Sequence, residues 1–411
     1  MKNRTALLLL FFLSQLSLTA QDFFAGAAIR TINPDKDSLY LAGGKPNRPF
    51  IDVHDNLYVK AVVVSNSNNN ITLLTFDCIG LLYPQLQEIR ARIKSELPLI
   101  DSEHIVMSST HTHSGPDVVG IWGKDLAHSG VNDKHMQLIV NRAVEAIKEA
   151  YNAKKPVTIS YGKGSFGEDW VKNISEPGEL DRSVSVIKFS DLNGKNIATL
   201  TNFACHPTIM DDTSTAASSD YVWGYYTYLD AAQGGVNMFL QGAIGGWVQP
   251  EGVPHTYDQA KKYGTALGKY VFTLPQIKNS SKSLHFTSAK VDFPLANPAF
   301  QMLSKSGIIK RTFGKTVSSE IAFFTIGDAY FATHPGETSP ALSLATKKLM
   351  NNKGPKFVLG LSQDALGYII KPSFFDSSNT IPHSKYLTGM SIGPETMGVI
   401  YSTLNTLIKG K

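Results

Sequence analysis

The sequence has few cysteines and little net charge, and each shortage excludes a class of protein. Cys78 and Cys205 are the only cysteines among 411 residues, so a disulfide framework is excluded. The two could pair once in an exported chain, but two small buried residues in strands are the simpler expectation. A formal charge of +5 at pH 7 is too small to indicate a nucleic-acid partner.

Internal repeats and glycine-rich phosphate loops are also missing. The chain has no repeat with a period of roughly 20–50 residues, which excludes a solenoid or propeller. No glycine-rich loop follows the first predicted strand, so nothing supports dinucleotide binding. Beyond the N-terminus, no apolar run is long enough to span a bilayer.

The first twenty residues have the pattern of a secretory signal peptide. Lys2 and Arg4 give a positive start, residues 6–13 are almost wholly apolar, and Ala20–Gln21 is a plausible cleavage point. A membrane anchor is the alternative, but the apolar run is shorter than the roughly 20 residues that a bilayer requires. We therefore expect a secreted or periplasmic protein with a signal peptide at 1–20 and a mature chain at 21–411.

Strand and helix patterns alternate along the mature chain without a long linker. Three pairs of β-rich runs predict hairpins: 57–64 with 71–80, 184–189 with 197–204, and 321–326 with 329–333. Apolar residues at helical spacing predict helices over 84–97, 134–153, 256–272 and 339–350. This mixture indicates an α/β fold of mixed sheets with flanking helices, in a single large domain.

Two histidines, His111 and His113, follow the short predicted strand 105–108. On an extended chain, alternate side chains point the same way, so both could face one cavity. Neutral imidazole is a good zinc ligand, and a His-x-His pair is a common arrangement of metal ligands. The alternative is a surface loop with two incidental histidines.

Four further polar residues follow predicted strands or precede helices. His206 ends an apolar strand, where active-site residues often lie, although a lone histidine there is more often structural. Glu337 is predicted to end the second strand of a hairpin and to precede a helix, where a glutamate commonly complements only the helix dipole. Tyr368 and Tyr386 are of a residue type that usually packs at half-buried positions. Singly, none of the four predicts a function.

Taken in order, however, the segments resemble the catalytic domain of the neutral/alkaline non-lysosomal ceramidase family. The resemblance runs from about residue 24 to about residue 398 and rests on Ala25–Pro34, Thr110–Pro116, Phe203–Thr208, Ser219–Tyr221, Pro335–Glu337 and Gly367–Ile369. The run His-Thr-His-Ser-Gly-Pro is its most specific part. The resemblance implies one zinc ion held by His111, His206, Glu337 and Tyr368.

The resemblance also implies a reaction. We expect a zinc-dependent amidohydrolase that cleaves the N-acyl amide bond of ceramide, or of a related N-acyl lipid, with metal-activated water. His113 would act as acid or base, and Tyr386 would help to stabilise the oxyanion. Neighbouring groups should orient the ligating histidines; Asp117, Asp211, Asp212 and Asp220 are near in sequence, and the sequence does not show which of them does so, if any. The sequence leaves open whether the protein makes peripheral contact with a membrane.

Two segments depart from the family pattern, and we expect both to lie around the substrate and not the metal. Gly242–Pro250 lacks the acid and the serine of a Gly-Asp-x-Ser-Pro block, which argues against a serine nucleophile. Asn173–Pro177 lacks the arginine of an Asn-Arg-Ser-Pro block. We expect no counterpart of the immunoglobulin-like C-terminal domain of long ceramidases. Two alternatives follow: a zinc esterase or amidase acting on a glycan or peptide, and a non-catalytic binding protein on the same fold.

Overall fold

Two mixed β-sheets packed face to face form the centre of the structure, which the computed structural model describes for residues 23–35 and 39–410. The predicted signal peptide, 1–20, lies outside the described residues. Helices cover the outer face of each sheet, so the described chain has four layers. The prediction of mixed sheets with flanking helices is confirmed.

Strands are numbered along the chain. Within the described residues the larger sheet has, in spatial order, β11 (Val236–Gln241), β9 (Asn196–Phe203), β8 (Ser183–Asp191), β6 (Lys155–Ser165), β1 (Phe23–Thr31), β3 (Tyr58–Ser65), β4 (Asn70–Phe76) and β5 (Ile105–Ser109), with β13 (Ile277–Lys278) beside β6. The smaller sheet has the order β14 (Leu284–Pro294), β15 (Thr316–Ile326), β16 (Ala329–Thr333) and β18 (Lys356–Leu359). Short pairs join β2 (Asp52–Val53) to β10 (Ala216–Ala217), β7 (Val171–Asn173) to β12 (Val248–Pro250), and β17 (Glu337–Thr338) to β19 (Tyr368–Ile369).

The helices of the described chain are α1 (Tyr83–Glu96), α2 (Asp133–Asn152), α3 (Tyr221–Gln233), α4 (Tyr257–Thr273), α5 (Pro298–Lys305), α6 (Pro340–Leu349), α7 (Ser384–Gly389) and α8 (Thr396–Lys409). All three predicted hairpins form, as β3–β4, β8–β9 and β15–β16. The four predicted helices form as α1, α2, α4 and α6. Among these helices none combines the length and the apolar character needed to cross a bilayer.

The strands of the larger sheet are apolar on both faces because both faces are covered. In β3, Val62 and Val64 pack into the core between the sheets, whereas Ala61 and Val63 pack against α1 and α2. Cys78 and Cys205 are buried and neither forms a disulfide, but each lies just beyond the end of a strand and not within it as expected.

A buried ion pair joins α1 to the smaller sheet. The Arg90 guanidinium donates to both carboxylate oxygens of Glu320, at 2.6 and 2.9 Å, and to the carbonyl oxygen of Ile105. The two charged side chains are 3% and 1% exposed. Such a pair contributes little net free energy while intact, but losing one partner leaves the other charge buried.

We expect Arg90→Met to lower the free energy of unfolding by about 3–5 kcal/mol, because the Glu320 carboxylate would lose its cationic partner. Denaturant titration measures this difference. The matched control is Arg142→Met, which breaks the solvent-exposed pair with Glu145 and should cost less than about 1 kcal/mol. Similar losses in the two variants would contradict this interpretation.

Candidate metal centre

A buried amide, Gln241 at the end of β11, holds together the two loops that carry the candidate ligands. Its Nε2 donates to the carbonyl oxygens of Thr110 and Cys205, each at 2.9 Å. Thr110 and Cys205 directly precede His111 and His206. One side chain therefore fixes the relative position of two loops that are distant in sequence.

Both candidate ligand histidines have their rings oriented by backbone carbonyls. His111 Nδ1 lies 2.5 Å from the Ile79 oxygen, and His206 Nδ1 lies 2.8 Å from the Val248 oxygen. An oxygen acceptor requires the proton on Nδ1, so each ring presents the lone pair of Nε2. Both side chains are buried.

The two Nε2 atoms converge on one carboxylate oxygen. Glu337 Oε2 lies 3.4 Å from His111 Nε2 and 3.1 Å from His206 Nε2. Burial alone would raise the pKa of Glu337, but the neighbouring imidazoles of His111 and His206 outweigh it and hold that pKa far below its ordinary value. The carboxylate is therefore ionised.

This donor set fits a zinc ion. Ligand atoms at about 2.0–2.1 Å from a tetrahedral zinc lie about 3.3 Å from one another, close to the distances of 3.4 and 3.1 Å from Glu337 Oε2 to the two Nε2 atoms. Two neutral imidazoles and one carboxylate also form a familiar set of three protein ligands with an open position. The resemblance placed His111, His206 and Glu337 at the metal, and the structure brings these three side chains together.

Tyr368 lies beside Glu337 because β17 and β19 pair in parallel with these two residues opposite each other. Burial, followed by the negative charge of Glu337, raises the pKa of Tyr368 well above its ordinary value. The phenol is therefore neutral without a metal, and its hydroxyl accepts a hydrogen bond from Trp247 Nε1 at 2.6 Å.

His113 contacts the same cluster, but hydrogen bonds do not fix its ring. Its centroid lies 5.0 Å from that of His111 and 5.6 Å from that of His206, and neither ring nitrogen has a partner among the described residues. Burial, followed by the neighbouring rings of His111 and His206, lowers the pKa of His113 well below its ordinary value. The nitrogens of the three histidines lie within 4.8 Å of one another, so geometry also allows His113 as a ligand.

Backbone packing holds His113 in place. The buried Arg48 guanidinium donates to the His113 carbonyl oxygen, to the Ala42 oxygen at 2.5 Å and to the Asp211 oxygen at 2.6 Å. Gly43 has a φ of +84°, and a Cβ there would lie 2.3 Å from His113 Cγ, so only glycine fits beside the ring.

A cavity of about 370 Å³ opens from the cluster. His111, His113, Glu337 and Tyr368 lie at its polar end. The rest of the lining is mainly apolar, with Val119, Ile121, Trp122, Leu126, Phe300, Leu303, Ile308, Ile309 and Met390. Tyr386, which is 48% exposed, also lines the cavity.

Two details of the sequence prediction are wrong. His111 is not on an extended strand: β5 ends at Ser109 and His111 has a φ of +67°, so a turn brings the two histidine rings together. Glu337 lies on the separate strand β17 and not at the end of a hairpin strand.

Sequence reasoning left open which groups orient the histidines. In the described structure backbone carbonyls fill that role. Asp117 instead accepts three backbone N–H groups of its own loop, Asp220 caps α3 and Asp212 pairs with Lys45. The Asp211 carbonyl contacts Arg48. A carbonyl acceptor leaves no sequence signal, because every residue has one.

The segment Gly242–Pro250, which departs from the family pattern, lies closer to the candidate metal ligands than expected. Val248 supplies the carbonyl oxygen that orients His206, and Trp247 donates to Tyr368. The Trp247 indole also lies 5.3 Å from the Tyr386 ring, between centroids. Sequence reasoning missed Trp247, and its φ of +62° cannot be read from local composition.

Comparison with known proteins finds similarity to neutral ceramidases. The model of the neutral/alkaline non-lysosomal ceramidase N-terminal domain matches residues 44–238, which include the three histidines. Neutral ceramidase B of Dictyostelium discoideum is 27% identical over 230 residues, which cover 50% of this chain and 31% of that protein. Neutral ceramidase of Pseudomonas aeruginosa is 24% identical over 191 residues, 43% of this chain and 28% of that protein.

Over residues 44–238 the chain is similar to the neutral/alkaline non-lysosomal ceramidase family. Its matches span about a third of the length of these curated relatives. The fold agrees with that of solved structures. The crystal structure of neutral ceramidase from Pseudomonas aeruginosa superposes with a TM-score of 0.77 and 17% identity, covering 95% of this chain and 75% of that one. A ceramidase complexed with C2 superposes with a TM-score of 0.77 and 15% identity.

We expect the purified protein to hold one zinc ion per chain, and His206→Ala to lose most of it after dialysis against a weak chelator. Removing a ligand should weaken zinc binding by more than the roughly 10–100-fold typical of lost outer partners. Elemental analysis measures the zinc content. His128→Ala is the matched control, because His128 is 66% exposed and pairs with Asp125 at the surface. Equal zinc in His206→Ala and the parent would contradict the site.

Proposed function

We propose that this chain is an exported zinc-dependent amidohydrolase that cleaves the N-acyl amide bond of ceramide or a related N-acyl lipid. The observation that carries this proposal is the continuity between the cluster of His111, His206 and Glu337 and a mainly apolar cavity of about 370 Å³. Apolar pockets with a few polar groups at one end suit a substrate with an acyl chain next to its reacting bond. The named ceramidases among the relatives support the same substrate class.

His111, His206 and Glu337 would hold the metal, and Tyr368 would lie at the fourth position or beside it. When bound, zinc lowers the pKa of a water molecule to near neutral and polarises a carbonyl group. The burial of these side chains keeps the surroundings poor in water, which strengthens each electrostatic contact within the site.

His113 is suited to move the proton. Its ring is neutral because its pKa is lowered by burial, and both nitrogens are without a partner in the described structure, so one can accept a proton. In the proposed reaction His113 takes a proton from the attacking water and returns it to the leaving nitrogen. The new C–O bond replaces the C–N bond, which yields a fatty acid and an amine.

Tyr386 is suited to bind the developing oxyanion. Its side chain lines the cavity near Tyr368, with the ring centroids 6.3 Å apart. Burial of the phenol, with the nearby charge of Glu337, raises the pKa of Tyr386, so the hydroxyl keeps its proton and can donate it in a hydrogen bond.

The proposal also includes export of the protein. Its support is the signal-peptide pattern of residues 1–20 alone.

A second candidate is an esterase or amidase with the same metal and a glycan or peptide substrate. The observation that favours it is the place of Trp247, which lies in a segment that departs from the family pattern yet contacts Tyr368. A change so close to the candidate metal alters the surface that meets the substrate. Substrate preference therefore has to be measured on both classes.

We expect the zinc-loaded protein to release fatty acid from a fluorescent short-chain ceramide, and His113→Ala to do so about 10²–10⁴-fold more slowly while keeping its zinc. Chromatography of the labelled product measures the rate. Arg142→Met should match the parent, because the Arg142 side chain lies at the surface and does not line the cavity.

Soluble N-acetyl sugars and acylated peptides form the second arm of this experiment. Zinc-loaded protein that hydrolyses only these soluble substrates would replace the ceramide proposal by the second candidate. Zinc-loaded protein that is inactive on every substrate would contradict both and favour a binding protein.

A further inference from the structure

The mouth of the apolar cavity is formed by three exposed segments that hydrogen bond to one another. The loop 120–130 is joined to the turn after α5 by Ser129 Oγ, which donates to the Ile308 carbonyl oxygen at 2.8 Å. At the other end of α5, Asn297 Nδ2 donates to the Gly389 oxygen at the end of α7, also at 2.8 Å. The three segments therefore form one continuous surface around the opening.

This surface carries large apolar side chains that solvent reaches. Leu126 is 80% exposed, the highest value among the exposed large apolar residues of the described chain, and Met302 is 67% exposed. None of the described residues of α5 is buried. Phe300 and Leu303 of this helix line the cavity, whereas Met302 faces outward. Exposed apolar side chains grouped at a cavity mouth indicate a contact surface and not packing.

Basic side chains accompany the apolar ones. Lys124 lies next to the loop tip, Lys305 ends α5, and Lys385 precedes Tyr386 in α7, all of them exposed. The acid on this surface, Asp125, pairs with His128. Lysines around an apolar centre complement a surface with anionic groups at the outside and apolar groups beneath them.

We propose that this mouth, defined by residues 124–126, 302, 305 and 385–386, docks on an anionic lipid surface. Apolar side chains of this kind enter the boundary between headgroups and acyl chains, and the lysines contact the headgroups. In this orientation the cavity opens toward the lipid, so an N-acyl lipid enters without crossing water. The inference rests on the proposed function in taking the cavity as the acyl-chain site.

The test is co-sedimentation with substrate-free vesicles of phosphatidylcholine mixed with phosphatidylglycerol, compared with vesicles of phosphatidylcholine alone. We expect the parent to bind the anionic vesicles more tightly, and Met302→Gln to weaken that binding roughly tenfold, because it removes an inserting side chain. Leu99→Gln is the matched control. Leu99 is equally exposed, at 67%, but lies beside Asn70 at the start of β4, away from the cavity.

Three outcomes would overturn the proposal: no binding by the parent, equal binding to neutral and anionic vesicles, or equal losses in Met302→Gln and Leu99→Gln. A self-associated parent that Met302→Gln makes monomeric in sedimentation velocity would also overturn it, in favour of a second copy of this chain. Because the vesicles hold no substrate, binding is decided separately from turnover. A protein that docks as expected but cleaves no N-acyl lipid would contradict the proposed function and leave the docking surface supported.

Discussion

One buried carboxylate determines much of the arrangement around it. Glu337 is 8% exposed, and a charge at that depth is costly unless neighbouring groups compensate it. His111 and His206 approach the same carboxylate oxygen, and the short pair β17–β19 holds Tyr368 opposite it. Two imidazole lone pairs and one carboxylate directed at a common point are the arrangement that a divalent zinc ion stabilises.

The surrounding fold preserves this convergence. Gln241 joins the loops that carry the two histidines, and backbone carbonyls set the orientation of each ring. Arg48 ties the His113 loop to two further loops through their carbonyl oxygens. Because these contacts come from separate layers of the structure, the ligands are positioned by the packed fold and not by one flexible segment.

Local sequence patterns predicted the parts of the fold that have strong periodicity. Helix α1 and the hairpins were predicted because apolar residues recur at helical or alternating spacing. Helix α3 was not predicted, since its run of tyrosines with a glycine is more typical of strands, and α8 is rich in β-branched residues. Both helices form because the sheets offer an apolar face for them to cover.

Sequence reasoning could predict the site only from the order of its segments along the chain, and not from any single residue. His111 and His113 stand out as a pair, but nothing local distinguishes His206 or Glu337 from structural residues, and the resemblance supplied their association. Gln241 and Trp247 could not be found, since their roles depend on contacts between distant segments. The signal that could have drawn attention to Trp247 is its place in a segment that departs from the family pattern.

The central claim is that His111, His206 and Glu337 hold the metal while His113 stays free to move a proton. X-ray absorption at the zinc edge of the zinc-loaded protein tests it most directly, because scattering from imidazole rings counts the histidine ligands. The account predicts two imidazoles with nitrogen at about 2.0–2.1 Å, completed by oxygen ligands. Three imidazoles, or a sulfur ligand at about 2.3 Å, would contradict it.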